Sequence, residues 1–229
     1  MRCVLFLHGF LGSPEQLAPL EAAVRELGIA THVLTLPGHK GTLSDFLRHG
    51  RKDWEAAVSD AVRTLSESYS ELYLCTHSMG GLLALNAFEA HPDRIRGIFA
   101  LSLPLSIQFS LRSLRLYHSI LSDPKPDDPP EVRAGREFLG VSGLRMHHAL
   151  RLLPNSLGFC RLQKKGRRIL RQSTVPLTAV WSTGDEIVSL RSAAHSRGNT
   201  AILLTESTHF WYSASEQDVL IRELKEMLQ

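Results

Sequence analysis

The chain has 229 residues, 43% of them apolar, and a formal net charge of +3. That length supports one sizeable core, so one domain with an insertion is expected rather than two, and the near-balanced charge argues against a nucleic-acid binder. The three cysteines, Cys3, Cys75 and Cys160, are odd in number and widely spaced, a pattern that suggests neither a disulfide framework nor a zinc site.

The opening stretch MRCVLFLHGF carries an apolar run that His8 and Gly9 interrupt. It is too short for a signal peptide or a membrane span. No later segment reaches 18 apolar residues, and a cytoplasmic protein is the expectation. Residues 3–7 read instead as a buried strand, with Cys3 as a buried thiol. A helix over 16–27 and a strand over 31–34 follow. Pro37-Gly38 and Gly41 punctuate the chain before a helix over 53–68. The strand 72–76, holding Cys75 as a second buried thiol, runs into a helix over 79–90. His91-Pro92-Asp93 then turns the chain into a strand over 98–101.

From 105 to 172 the rhythm breaks. DPKPDDPP at 123–130 reads as a loop with room to move, among helix-like pieces such as 144–153 and 159–170. Alternation resumes with a strand over 177–181, a helix over 189–197, a strand over 201–204 and a helix over 216–228. Strands apolar throughout and separated by helices imply a parallel sheet covered on both faces. The expected organisation is an α/β core made of 1–104 and 173–229, with 105–172 inserted as a helical cap.

In open parallel sheets, ligands bind beyond the carboxyl ends of the strands. Four such ends carry chemistry here: His8-Gly9-Phe10-Leu11-Gly12, His77-Ser78-Met79-Gly80-Gly81, Ser182-Thr183-Gly184-Asp185-Glu186 and Glu206-Ser207-Thr208-His209-Phe210. Strand, Ser on a tight turn, glycines, helix is the context of a nucleophile elbow. A serine hydroxyl needs a base to take its proton, and His209 can serve near neutral pH. Asp185 would fix the imidazole tautomer and stabilise the imidazolium. Each role has a rival: Ser78 as a helix N-cap, Asp185 as a turn residue with Glu186 as the acid, and His209 as a surface histidine. Thr76 stands where the usual G-x-S-x-G pattern has its first glycine. A β-branched residue suits a strand end, and needs no positive φ if the strand continues through position 76.

The chain order Ser…Asp…His resembles that of the α/β-hydrolase superfamily, over nearly the whole chain outside the cap. GHKGTLSDFLRHGRKDW at 38–54 is similar to the GHG…W segment of bacterial carboxylesterases and monoacylglycerol lipases, and DEIVS at 185–189 to their acid loop. The resemblance implies a trimmed, mostly parallel six-stranded core that starts at the third strand of the usual fold. It implies backbone N–H groups of Phe10 and Met79 as the oxyanion hole, and Ser78, Asp185 and His209 as the triad. The implied substrates are small acyl or aryl carboxylic esters or monoglycerides, with no metal or cofactor. His77 reads as a packing residue of the HSMGG elbow and His8 as a brace for the oxyanion loop. His39 and His195 carry no signal, and Trp54 and Trp211 read as core.

Two alternatives stand beside this reading. The menaquinone-pathway lyase shares the fold, the triad and the HGF and PGH segments, although GHKGTLSDF…KDW argues against it. A non-catalytic binding protein of the same fold would normally lack a triad member. Substrate contacts are expected from the cap, 105–172, whose apolar stripe holds Leu111, Leu114, Leu116, Ile120, Phe138, Leu150 and Phe159. Residues 111–172 hold 13 Lys or Arg and 5 Asp or Glu, a net of +8, densest at Lys164-Lys165-Gly166-Arg167-Arg168. That run reads as a solvated helix face or, more sharply, as a weak contact for anionic substrates or an anionic lipid surface.

Overall fold

The computed structural model describes residues 1–196 and 198–229. β1 (Arg2–Leu7) sends Cys3, Leu5 and Leu7 into one core and Val4 and Phe6 into another, the alternation of a pleated strand buried on both faces. A 3-10 turn at Pro14–Leu17 leads into α1 (Ala18–Glu26) and then β2 (Ala30–Leu34). The two-residue β3 (Gly41–Thr42) precedes α2 (Leu43–Leu47). α3 (Arg51–Ser68), β4 (Glu71–His77), α4 (Met79–Ala90) and β5 (Ile95–Leu101) follow. Residues 105–172 hold α5 (Leu111–Leu121), α6 (Pro130–Glu137), the two-residue β6 (Val141–Ser142) and α7 (Leu153–Gln172). β7 (Leu177–Ser182), β8 (Thr200–Leu204) and α8 (Ala214–Met227) complete the order.

The main sheet has six strands in the order β2-β1-β4-β5-β7-β8, and every pairing is parallel. All carboxyl ends therefore lie along one edge. β2 and β4 flank β1 on opposite sides, so the strand order reverses between β1 and β4, where such sheets open a crevice. The register pairs Leu7 with Thr76 and so sets the loop after β1 beside Ser78.

α1 and α8 cover one face, packing Leu20, Val24, Leu220 and Leu224 against Val4, Phe6 and Phe99. α3, α4 and α7 cover the other. α4 is buried from Met79 through Phe88, as a helix apolar all round must be. Among the described residues no helix is long and apolar enough to cross a membrane.

Some local expectations change. α2 is an added helix, and its start is a capping box in which Thr42 Oγ1 accepts from Asp45 N and Asp45 Oδ2 accepts from Thr42 N. The predicted helix over 189–197 is a 3-10 helix at Leu190–His195, and Arg197 lies outside the described residues. The start of the 144–153 piece is also 3-10, at Met146–Leu152. Pro154 follows, and it has no N–H to bond the Leu150 carbonyl, so an α-helix cannot run through uninterrupted. In the 123–130 loop Asp128 is buried and accepts from Lys125 N and Arg136 Nη1, both at 2.8 Å.

Residues 105–172 pack in two ways. α7 puts Leu162 and Ile169 into the main core beside α3 and α4. Within its basic run, Lys165 lies 3.3 Å from Glu89, Arg168 pairs with the same carboxylate, and Arg167 donates to the Leu105 carbonyl. α5 and α6 form a small separate cluster of Leu116, Ile120 and Val132, which rests on Ile187 and Phe210. Leu111, Leu114 and Leu150 of the predicted stripe are exposed.

Candidate active site

Ser78 sits between the last residue of β4 and the first of α4, with φ 51° and ψ −119°. A non-glycine residue held at positive φ is strained, and the surrounding contacts must hold it there. They do so from two sides: Ser78 N donates to the Leu101 carbonyl at 2.9 Å, and Ser78 O accepts from Gly81 N at 2.9 Å. The N-cap rival fails on geometry. A capping serine has extended backbone and accepts a bond from the first turn, whereas Ser78 has neither. Gly80 is required because a Cβ there would fall 2.3 Å from the Leu7 carbonyl oxygen. Thr76 remains in β4, without positive φ, and its hydroxyl donates to the Phe99 carbonyl. The close approach needed on that side is supplied by Gly81, where a Cβ would lie 3.3 Å from the Thr76 hydroxyl.

Asp185 and His209, on the loops after β7 and β8, are both buried. His209 Nδ1 lies 2.9 Å from Asp185 Oδ2. The other carboxylate oxygen accepts from Ile187 N at 2.8 Å and Val188 N at 2.7 Å. Burial alone would raise the Asp185 pKa, but the His209 ring and these N–H donors hold it below the usual carboxylate value. Of the two adjacent acids, only Asp185 reaches the ring. Glu186 instead accepts from the His209 backbone N–H at 3.4 Å and from Arg112 at 3.3 Å, and burial pushes its pKa up. His77 Nε2 lies 3.0 Å from the His209 carbonyl oxygen, the two rings meet edge to face at 4.8 Å, and the Gln16 amide approaches the same nitrogen. The bond to the carbonyl requires the proton on Nε2.

Met79 is the first residue of α4, so its N–H has no intrahelical acceptor. Phe10 lies at the first central position of a turn closed by Gly12 N to Gly9 O at 3.2 Å, with Leu11 at φ 58°. The closing bond leaves the Phe10 N–H unused. The Phe10 ring packs on Phe46, Trp54 and Phe159. His8 braces this loop: Nδ1 bonds the Gly9 carbonyl at 3.0 Å and Nε2 accepts from Leu36 N at 3.1 Å. One neutral tautomer satisfies both bonds, and burial lowers the His8 pKa to about 3.

A profile of the alpha/beta hydrolase family matches residues 4–223. The chain belongs to that family. Among its relatives in it, a thermostable monoacylglycerol lipase of Bacillus sp. (strain H-257) is 32% identical over 136 residues, covering 56% of this chain and 54% of that protein. A carboxylesterase of Bacillus subtilis (strain 168) is 31% identical over 108 residues, covering 47% and 43%. This α/β-hydrolase thus spans about half the length of the curated relatives it matches. A structure reported for the metagenome-derived lipolytic enzymes LipS and LipT superposes with a TM-score of 0.75 at 20% identity, covering 99% of this chain and 93% of that one.

Several features of this α/β-hydrolase site went unread in the sequence. His39 is buried, its ring edge-on to His8 at 4.7 Å and to Phe46 at 5.0 Å. The GHK segment was the available signal, but a lone histidine has no partner pattern. Ser102, just after β5, is buried and also strained, with φ 49°, and no motif marks it. Gln16 contacts His77 from 61 positions away. Trp54 is fully buried and donates to the Pro37 carbonyl, but Trp211 is only half-buried rather than core.

Proposed function

We propose that this α/β-hydrolase cleaves carboxylic esters through an acyl-enzyme on Ser78. The observation that carries this reading is the 2.9 Å contact of His209 Nδ1 with Asp185, on loops at the same carboxyl edge of the sheet as the strained Ser78 turn. With Nδ1–H bonded to the carboxylate, the lone pair is on Nε2, the nitrogen a base needs. Ser78 Oγ attacks the ester carbonyl and its proton passes to His209 Nε2. The tetrahedral oxyanion is held by the N–H groups of Phe10 and Met79, each worth about 3 kcal/mol of barrier. His209 returns the proton to the departing alcohol. Water then repeats the sequence and releases the acid from Ser78. Asp185 keeps the imidazole in one tautomer and stabilises the imidazolium.

The names of the two Bacillus relatives, a monoacylglycerol lipase and a carboxylesterase, favour carboxylic esters and monoglycerides as substrates, and small acyl or aryl esters are the proposed class. Residues 105–172 are the proposed cap, with one part resting on Ile187 and Phe210 beside Glu186 and His209, and with Phe159 meeting the Phe10 ring. The test is a panel of aryl esters with two to sixteen acyl carbons, run on the wild type and Ser78→Ala, with fluorophosphonate labelling alongside. Cleavage and labelling that both vanish in Ser78→Ala support the reading. A wild type that neither cleaves nor labels would leave the fold with a binding role.

A further inference from the structure

Glu186 is a buried carboxylate that the hydrolytic steps do not use. Holding a charge in the interior is costly unless it is paired and hydrogen-bonded, so its partners matter. One oxygen faces the His209 backbone N–H and the other faces the Arg112 guanidinium. His209 is thereby held at three atoms from two parts of the chain: its ring by Asp185 and its N–H by Glu186 of the loop after β7, and its carbonyl by His77 at the end of β4. Arg112 belongs to α5, the first helix of the inserted segment, and also donates to the Gly184 carbonyl at 3.1 Å. The chain just before it is strapped along the acid loop. Ser189 N donates to Ser106 O, Gln108 N to Ile187 O, and Gln108 Nε2 to the Asp185 carbonyl. The small apolar cluster of α5 and α6 rests on Ile187 and Phe210, the neighbours of Glu186 and His209.

We propose that Glu186 is a positioning residue that ties the placement of His209 to the seating of α5, with Arg112 as the link. This rests on His209 being the base of an ester hydrolase. When α5 is seated, the Arg112 guanidinium faces one Glu186 oxygen, opposing the burial that disfavours its charge, and the other oxygen faces the His209 N–H. When α5 shifts, the carboxylate loses its cation and the peptide of His209 loses its charged acceptor. Small misplacements of a base are costly to rate, so the effect falls on kcat rather than on substrate affinity.

The experiment measures kcat and KM for a short aryl ester in wild type, Glu186→Leu, Glu186→Gln, Arg112→Ala, Arg112→Lys and the double variant Glu186→Leu/Arg112→Ala. The expected losses in kcat are about tenfold for Glu186→Leu and about threefold for Arg112→Ala and Glu186→Gln, with KM within about twofold throughout. Arg112→Lys restores most of the Arg112→Ala loss, and Arg112→Ala adds nothing once Glu186 is Leu. The Arg112 side chain is 62% exposed, so Arg112→Ala remains informative if Glu186→Leu fails to fold. Wild-type kcat in Arg112→Ala, or an equal Arg112→Ala loss with and without Glu186, overturns the proposal. A wild type without ester cleavage sinks the function instead, and so the two failures are distinguishable.

Discussion

The two parts of 105–172 are alike in being amphipathic and unlike in charge and in what they rest on. α7 is basic and amphipathic, yet its apolar side is main core, and Lys165 and Arg168 face the Glu89 carboxylate of α4. α5 and α6 are also amphipathic, but their cluster is three buried side chains, and Leu111 and Leu114 are exposed. A net charge of +8 over 111–172 therefore does not describe a free basic surface. Which cations remain free depends on the acids that α3 and α4 present, and those lie far away in sequence. The α5–α6 cluster meets the loops after β7 and β8, whereas α7 packs as a core helix whose Phe159 meets the Phe10 ring.

On the proposed mechanism, bond-making belongs to residues outside 105–172. Ser78→Ala should lower kcat by roughly four to six orders of magnitude with Tm unchanged. Asp185→Asn should cost roughly 10⁴-fold, far more than Glu186→Gln. A Ser78→Ala enzyme keeping a tenth of the wild-type rate would move the nucleophile elsewhere, and a reversed ranking of the acids would move the triad carboxylate.

A second test concerns the core alone. Burial lowers the pKa of His8 and His77 to about 3 and of His39 to about 4. Each folded-state value lies below the ordinary histidine value of about 6.5, so the unfolded chain binds the protons more readily. The stability is whole above pH ~6.5 and is lost as pH falls toward 3 to 4, at roughly 2 kcal/mol per histidine by pH 5. Urea midpoints at pH 7 and pH 5 measure it. A flat profile would mean that these rings are not neutral in the folded protein. Conversely, His39→Phe should reduce the slope by about one proton.

Side-chain truncation separates the two parts of the insertion directly. Leu162→Ala in α7 should destabilise the protein by about 2–5 kcal/mol. Leu114→Ala in α5, 56% exposed, should stay within about 0.5 kcal/mol while shifting the preferred acyl length. Equal losses of stability would erase the distinction. The smallest effect belongs to the charges. Lys165→Gln and Arg168→Gln should each cost at most about 1 kcal/mol and less in high salt. Neither should alter the salt dependence of kcat/KM for an ester with an anionic leaving group. A flattened salt curve in these variants would restore the basic run as a substrate-attracting surface.

The sequence by itself determined the sheet and the loops that carry reactive side chains. Each strand is a short apolar run bounded by turn residues, and its periodicity is local, so 3–7, 72–76 and 98–101 were legible without partners. The Ser78 turn was legible for the same reason, since strand, serine, Gly80, Gly81 and helix are contiguous. What only the tertiary structure decided are contacts between distant residues. The choice of Asp185 over Glu186 at the ring depends on where β7 and β8 end side by side. The hold of His77 and Glu186 on the His209 backbone joins stretches as much as 132 positions apart, and no local pattern encodes such a pairing. The division of 105–172 was hidden for a further reason. Helical amphipathicity states that a face is buried, but only the packed chain states against what.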